Sequence, residues 1–420
     1  MSTFKSDISN LDARVFYVTS FISSLASGAI GPLMVVYLLS VGLNPLQIGM
    51  VLAGGRIAIM LFEFPTGTFA DRYGRKLSVL VAFALSSLVL VGWFFSTTFV
   101  QWLAFSALFG IAFTFQSGAK ESLMLDSLKI ADDDAKRNYV YVRVGSWGNV
   151  GFVVGGLVAA GLALFWLPSI WLAAAVCNVA LFFMFLVWVK EPKLTGISNV
   201  PVGSIQMHST PWSGKLVLHI QSLADIGRGA IRAVMASKAL LKMFGVVMLF
   251  SLVIALYGLA YPIYLKQLFS LPNYMFGLLG AVFGLTGILG MLFGEKMVKY
   301  RGSFFALRAF VILLSVLFII LGFFQMIAVV LLLLVTIEML IYGWYPVYQS
   351  LFNKYVPNAM RASVLSLQSI AILMATAVGE MLSGRLIQFS SSFQVILYGG
   401  LLLLPILALL AGDQVSDKRS

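Results

Sequence analysis

Two glutamates stand inside long apolar stretches of the sequence, where a charged side chain is unusual. Glu338 lies near the middle of an apolar run over 328–352, about 15 Å from either end, and Glu63 lies in another run over 49–70. A carboxylate in lipid is costly, so it normally faces the interior of a helix bundle and binds a cation or a proton. We take Glu338 as the first candidate for a proton or cationic-substrate site and Glu63 as the second. A structural carboxylate bonded to neighbouring helices is the alternative for both.

The elements that position these glutamates are predicted to be transmembrane helices. The 420 residues are 60% hydrophobic and only 10% charged, so a soluble core could not bury the apolar surface. A helix that crosses a bilayer needs about 20 mostly apolar residues, and this rule predicts an all-α membrane protein with twelve spans. The predicted spans are 15–40, 49–70, 77–98, 102–127, 140–164, 168–189, 240–264, 274–297, 304–325, 328–352, 362–388 and 392–411.

The spans divide the chain into an N-terminal six-helix half over 1–190, a linker over 191–237 and a C-terminal six-helix half over 238–420. The linker is the longest polar stretch and contains several prolines and glycines. Inside it, apolar residues fall near helical spacing, which predicts an interfacial helix on the membrane surface. They are Leu216, Ile220, Leu223, Ile226 and Val234. An ordinary packed linker helix is the alternative.

The distribution of basic residues predicts the orientation. The net charge is +12, and nearly all lysines and arginines fall at the ends of spans that share one side with both termini. Only Lys266 and Arg385 are expected on the other side. Because lysine and arginine are retained in the cytoplasm, both termini and the linker are predicted to be cytoplasmic. The basic side then has anionic lipid headgroups as its partner rather than nucleic acid.

The residue inventory argues against several other functions. An enzyme or a metal site needs clustered histidines, cysteines or carboxylates, but His208 and His219 both lie in the linker and Cys177 is the single cysteine. No phosphate-binding loop of the type Gly-x-x-x-x-Gly-Lys-Ser/Thr occurs, so ATP is not the predicted energy source. We expect no enzymatic activity and no cofactor, and an ion gradient is left as the source of energy.

A compact motif follows the second span, in the segment that runs from Gly67 to Lys76. It resembles the signature of the major facilitator superfamily, Gly-x-x-x-Asp-Arg-x-Gly-Arg-Arg/Lys. The matching positions are Gly67, Asp71, Arg72, Gly74, Arg75 and Lys76. The resemblance implies that Asp71 faces the start of helix eleven and that Arg72 pairs with Asp126 at the end of helix four. Lys120 and Glu121 would join the network of Arg72 and Asp126.

The resemblance extends over most of the chain. Gly294 to Gly302 is similar to a degraded copy of the motif in the second half, and helix five is rich in glycine, which favours close helix packing. The superfamily fold implies two halves, each built from inverted 3+3 repeats, which rock around a site at the membrane midplane.

The predicted topology and this fold together suggest two gates. Arg56 and Glu380 fall at similar depths in the outer half of helices two and eleven, which the superfamily fold places against each other. Arg143 and Glu295 fall near the cytoplasmic side of helices five and eight, which the fold also places together. We expect the first pair to close the outside and the second to close the inside, alternately.

The segments Glu63–Gly67 and Ser117–Glu121 are similar to sequences common in drug-exporter-like members from bacteria. This resemblance implies an exporter of small amphipathic or cationic compounds in the bacterial inner membrane, and we expect it to be proton-coupled and monomeric. Proton-driven uptake of a small metabolite, and lipid movement between leaflets, are the alternatives. Aromatic residues suited to an apolar or cationic ligand are expected to line its cavity, with packing as the alternative role. They are Phe113, Phe115, Tyr342, Trp344, Tyr345 and Tyr348.

Overall fold

The computed structural model describes residues 11–130, 133–191, 229, 231–321, 323–324 and 326–411. Within these residues, twelve helices are long and apolar enough to cross a membrane, which confirms the predicted fold class. They are α1 (Ala13–Ser40), α2 (Pro45–Tyr73), α3 (Arg75–Phe95), α4 (Phe99–Leu128), α5 (Asp134–Phe165), α6 (Ser169–Trp188), α7 (Lys238–Phe269), α8 (Asn273–Arg301), α9 (Ser303–Leu321), α10 (Ile327–Tyr355), α11 (Arg361–Phe389) and α12 (Ser392–Leu409).

Several helices extend beyond the apolar runs that predicted them, because polar capping residues continue them outside the lipid. α2 begins four residues before the predicted start, where the Asn44 side chain accepts from the Gln47 amide at 2.9 Å and Pro45 occupies the first turn. Two spans are interrupted. A 3₁₀ turn, Gly31–Leu33, breaks α1, and Ser117 and Gly118 break α4. Gly118 has a φ of +69°, which suits glycine.

Helix contacts repeat from the first half to the second. In the N-terminal half α1 packs on α5 and α6, α2 on α4, and α3 on α4 and α6. In the C-terminal half, the helices numbered six higher make the same contacts: α7 packs on α11 and α12, α8 on α10, and α9 on α10 and α12. Exchanging the first three helices of a half with its last three also reproduces these contacts, which is the relation expected of inverted 3+3 repeats. The two main contacts between halves, α2 with α11 and α5 with α8, obey the same symmetry.

The two ends of the bundle differ. We call the end that carries the α2–α3 turn at Gly74 the motif end, and the end that carries the α1–α2 turn at 41–44 the far end. At the far end, α2 and α11 touch through backbone at Gly49 and Gly384. The Gln388 amide donates to Asn44 at 3.1 Å across the same interface.

α5 and α8 make a matching backbone contact at the far end. There, Gly156 of α5 packs directly on Gly277 and Ala281 of α8. Toward the motif end, Gly67 on α2 and Gly145 on α5 face open space. The halves are therefore closed against each other at the far end and separated at the motif end.

The buried apolar side chains form two separate clusters, and these also distinguish the far end from the motif end. One cluster of buried side chains runs through the C-terminal half and the far end of the N-terminal half without interruption. A separate cluster, which includes Phe16, Phe83 and Phe185, fills the motif end of the N-terminal half. The continuous core lies where the halves meet, so burial of apolar surface favours closure at the far end.

Gly156→Val is expected to open the far end, because a side chain at Gly156 would overlap the backbone of α8. Overpacking of this kind costs about 1–3 kcal/mol. Labelling of a Gly145→Cys probe at the motif end, in a Cys177→Ser background, should then slow as the population shifts toward motif-end closure. Gly161→Val is the matched control, since Gly161 lies on the same helix and faces open space. Equal labelling rates in the two variants would contradict the assigned interface.

Most of the predicted linker lies outside the described residues, and with it Leu216, Ile220, Leu223 and Ile226 of the apolar stripe. Residues 231–236 are helical, and within them Val234 is 5% exposed and packs against the main core. The interfacial helix stays a prediction.

Candidate functional site

Glu338 lies in the C-terminal half among three tyrosines. It sits on α10, and Tyr342 follows it one turn later on the same face. Tyr257 and Tyr261, one turn apart on α7, supply the opposite wall, with ring centroids 5.1 Å apart. All three hydroxyls interact electrostatically with the Glu338 carboxyl. The sequence contained a signal for the α7 residues, since two tyrosines at i and i+4 share a helix face.

The charge of Glu338 is not neutralised by a basic residue within the described part of the chain, where it makes no ion pair. The Tyr257 hydroxyl approaches the carboxyl from a fully buried position but has no well-aligned hydrogen-bond partner. A carboxylate in an apolar site needs a counter-charge or a proton. The aromatic faces around it suit an organic cation. The arrangement can therefore hold a proton or a cationic group.

Glu63 has a more open setting. Its side chain is exposed, and Ser117 Oγ lies 3.4 Å from Glu63 Oε1 across the break in α4. No tyrosine cage comparable to that of Glu338 surrounds it within the described contacts. Since an open carboxylate can be hydrated, Glu63 has less need of a bound proton or cation.

Of the six predicted cavity aromatics, three have an exposed face, one is partly buried and two are buried. Phe113, Tyr342 and Tyr345 are 46%, 37% and 48% exposed, whereas Phe115 is partly buried and packs edge-on against Phe69.

The prediction that Trp344 and Tyr348 line the cavity is wrong. Trp344 stacks on Phe250 with centroids 3.5 Å apart, and the Tyr348 hydroxyl donates to the Met243 carbonyl at 3.0 Å, both inside the core. The spacing explains the division. Glu338, Tyr342 and Tyr345 stand at i, i+4 and i+7 on one face of α10, and Trp344 and Tyr348 share another face.

The first predicted gate pair is formed. Arg56 Nε lies 3.5 Å from Glu380 Oε1, between α2 and α11 on the closed side. The Glu380 side chain is 7% exposed and that of Arg56 is 45% exposed. The second carboxylate oxygen of Glu380 is buried without a partner in the described structure. The carboxylate therefore depends on Arg56 for its charge compensation.

The second pair is not formed. Arg143 stacks over the Tyr139 ring at 5.4 Å, and Glu295 is exposed without an ion pair among the described residues. The alignment of α5 against α8 explains why Arg143 and Glu295 were predicted to pair although they are apart here. Gly156 faces Gly277 and Ala281, and Phe152 faces Gly284. Continuing this antiparallel register carries Arg143 to the turn of α8 that holds Glu295. The helices diverge before they reach that level.

The motif residues are organised around a tight turn. Gly74, with a φ of +104°, links α2 to α3, and Arg75 pairs with Asp126 of α4. The pairing of Arg72 with Asp126 stays a prediction. Arg72 lies in the last turn of α2 and stacks over Tyr73, whereas Arg75, which starts α3 after the chain has reversed, binds the Asp126 carboxylate. Asp71 is exposed and makes no hydrogen bond or ion pair with the described residues, and its approach to the start of α11 stays a prediction.

A residue that the sequence did not predict to take part completes this turn. Glu191, three residues beyond α6, accepts from the backbone amides of Arg75 and Lys76 at 2.9 and 2.8 Å. These amides form the first turn of α3, where a negative charge also complements the helix dipole. Lys76 Nζ donates to the Leu186 carbonyl at 3.0 Å, which ties α3 to α6 a second time.

Glu191→Ala is expected to lower the thermal unfolding temperature by about 2 °C, because removing a helix cap costs about 1 kcal/mol. Scanning fluorimetry of the detergent-purified protein measures this change. Glu295→Ala is the control, since Glu295 is exposed and makes no ion pair or hydrogen bond with the described residues. Equal unfolding temperatures for the two variants would contradict a capping role for Glu191.

Lys120 and Glu121 do not join the Arg75–Asp126 pair. Glu121 instead accepts a hydrogen bond from the Tyr141 hydroxyl of α5. Both residues follow the break in α4, which turns them away from the motif and toward α1 and α5.

These features define a multi-pass integral membrane protein with two related six-helix halves, the architecture of many secondary transporters. The sequence profile of the Major Facilitator Superfamily (MFS) matches residues 16–380, and the chain belongs to that superfamily.

Relatives with similar sequence match short segments. The chain is 43% identical over 74 residues to the MFS-type transporter YxaM of Bacillus subtilis (strain 168), which covers 18% of each protein. It is 30% identical over 66 residues to the MFS-type transporter MJ1560 of Methanocaldococcus jannaschii, which covers 16% of this chain and 17% of the relative. The chain thus matches less than a fifth of the length of either relative.

Solved structures match over nearly the whole chain. The nucleoside transporter NupG has a TM-score of 0.73 at 16% identity, over 96% of this chain and 100% of NupG. A bacterial homologue of the human lysosomal transporter Spinster, in an inward-facing and unoccupied conformation, has a TM-score of 0.70 at 12% identity, over 95% of each chain. At these identities the likeness shows the fold alone.

Proposed function

We propose that this MFS transporter exports small amphipathic or cationic compounds in exchange for protons. The observation that carries the proposal is Glu338, a partly buried carboxyl near Tyr257, Tyr261 and Tyr342 without a basic partner among the described residues. A proton and an organic cation satisfy the same need of this carboxyl. Because they compete for one site, binding of one releases the other, which is the exchange that an antiporter requires.

The state of the two halves supports alternating access. The halves touch at the far end and part at the motif end, so the space between them opens at the motif end. If basic residues are retained in the cytoplasm, this end is cytoplasmic and the present state faces inward. Compounds would reach Glu338 from the cytoplasm and leave after the motif end closes. We place the transporter in the bacterial inner membrane as a monomer, with anionic lipids at its basic end.

A proteoliposome assay tests the proposal. Purified protein is reconstituted with a pH-sensitive dye inside the vesicles, and lipophilic cations are added outside. Exchange predicts a substrate-dependent proton flux that saturates with cation concentration and disappears in protein-free vesicles. A flux whose sign shows protons and substrate moving in the same direction would overturn antiport in favour of uptake by symport. No flux with any cation would overturn the proposed substrate class.

A further inference from the structure

A cavity lies wholly within the N-terminal half. It has a volume of about 330 Å³ and is enclosed by α1, α4 and α5 toward the motif end. Its volume is at the lower end of the range for small-molecule sites. Glu338 and its tyrosines belong to the other half, so this cavity is a separate site.

The polar wall of the cavity carries one cation and one anion. Lys120 and Glu121 are consecutive on α4, and Tyr141 of α5 lies opposite. Tyr141 donates its hydroxyl to Glu121, which fixes one carboxylate oxygen. The two charges do not form a direct ion pair, and Lys120 has no hydrogen bond to the described part of the chain. The nearby Arg137 is paired with Asp134.

The remaining wall is mostly apolar. Phe16, Met124 and Val144 supply it, and Thr19 and Ser20 on α1 already donate their hydroxyls to backbone carbonyls at 2.7 and 2.8 Å. The cavity thus presents separated positive and negative groups beside a hydrophobic surface. The Lys120 ammonium is partly buried and has no hydrogen-bond partner in the described structure, so its donors are available to an anionic group in the cavity.

The cavity is accessible. The Glu121 side chain is exposed although it lies seven residues before the end of α4, roughly 10 Å into the span by helical rise. A carboxylate exposed to lipid at this depth would be unfavourable, so the open side faces water.

We propose that this cavity binds a small zwitterion with an apolar side chain, of the aliphatic amino-acid type. The ligand's carboxylate would meet Lys120, its ammonium would meet the second oxygen of Glu121, and its side chain would lie on Phe16, Met124 and Val144. Charge-assisted contacts of this kind are strong because both partners are ionised. The inference goes beyond the proposed function, because it assigns a different ligand class to a site apart from Glu338, and it rests on transport for its biological role.

Calorimetric titration of the purified protein without any ion gradient tests the binding. Three probes of matched shape separate the charges: leucine, 4-methylpentanoate, which lacks the ammonium group, and 3-methylbutylamine, which lacks the carboxylate. We expect leucine to bind at least about tenfold more tightly than either analogue, because each analogue loses one charge-assisted contact. Equal binding of leucine and 4-methylpentanoate would overturn the zwitterion site in favour of a plain anion site. Absence of leucine binding would overturn it entirely.

Two variants assign the charges. Lys120→Met keeps most of the side-chain stem and should reduce leucine affinity to that of the amine, while amine binding is unchanged. Glu121→Gln keeps the side-chain size and should reduce leucine affinity to that of the carboxylate. Lys129→Met, on the exposed end of the same helix, is the matched control. If Lys120→Met does not fold, Glu121→Gln decides the proposal. Leucine affinity unchanged in Glu121→Gln would overturn it.

These outcomes are distinct from those of the proposed function. Binding in detergent needs no proton coupling, so zwitterion binding can be established or overturned while exchange at Glu338 is measured separately with lipophilic cations.

Discussion

Glu338→Gln is expected to abolish substrate-driven proton movement. Glutamine keeps the size and the hydrogen-bonding capacity of the side chain but can neither bind and release a proton nor compensate a cation. Coupled flux in the proteoliposome assay should fall at least tenfold, which corresponds to about 1.4 kcal/mol of lost coupling. Since α10 has no other acidic residue, no carboxylate on the same helix can replace it.

Two further variants show whether the loss is specific to the Glu338 carboxyl. Glu63→Gln removes an exposed carboxylate and should leave most of the coupled flux in place. Tyr257→Phe removes the buried hydroxyl that approaches Glu338 and should shift the pH dependence of transport without abolishing it. Unchanged coupling in Glu338→Gln, together with a loss in Glu63→Gln, would move the proton site to α2.

The fold was predictable because the bilayer imposes length and polarity on every span. The predicted span over 49–70 became α2 from Pro45 to Tyr73, and the error lies only in the capped ends, where lipid no longer constrains the sequence. The motif likewise predicted a tight turn, and Gly74 forms it. Capping by Glu191 was not predictable, since its partner amides lie more than 100 residues earlier in the chain.

The sequence predicted how deep each site residue lies in its span better than it predicted the side of the helix that each one occupies. Counting residues from a span's end places Glu338 and Trp344 at neighbouring depths, yet it does not tell which side of the helix each one occupies. Helical spacing contained part of the answer, because Glu338 shares a face with Tyr342 and not with Trp344. Which face turns inward depends on packing against α7, and the residues of α7 give that information only once the helices are placed.

The two gate pairs also show that facing positions on two helices do not guarantee contact. In the antiparallel register of α5 and α8, Arg143 and Glu295 are opposite each other, and in that of α2 and α11, Arg56 and Glu380 are close. One pair is joined and the other is apart, as a molecule closed at one end requires. We expect motif-end closure to bring Arg143 and Glu295 together, so the second pair would compensate for loss of the first.

Breaking the Arg56–Glu380 pair should open the far end, and the two partners should contribute unequally. Arg56→Met leaves a buried carboxylate without its cation, at a cost of about 1–3 kcal/mol. Glu380→Gln leaves Arg56, which is 45% exposed and can be hydrated, so it should cost less. The larger effect corresponds to a shift of about 5- to 150-fold in the balance of the two states. Slower labelling of Gly145→Cys at the motif end would measure it.

The charge-swapped double variant, Arg56→Glu with Glu380→Arg, separates a gate from a structural contact. If the pair acts through its mutual attraction, the swap restores part of the labelling rate and of the transport that each single variant loses. If the single variants act only by disturbing packing, the double variant loses the sum of both effects. Equal losses in Arg56→Met and Glu380→Gln, with no recovery in the swap, would show that closure of the far end depends on the backbone contacts at Gly49 and Gly384 rather than on charge.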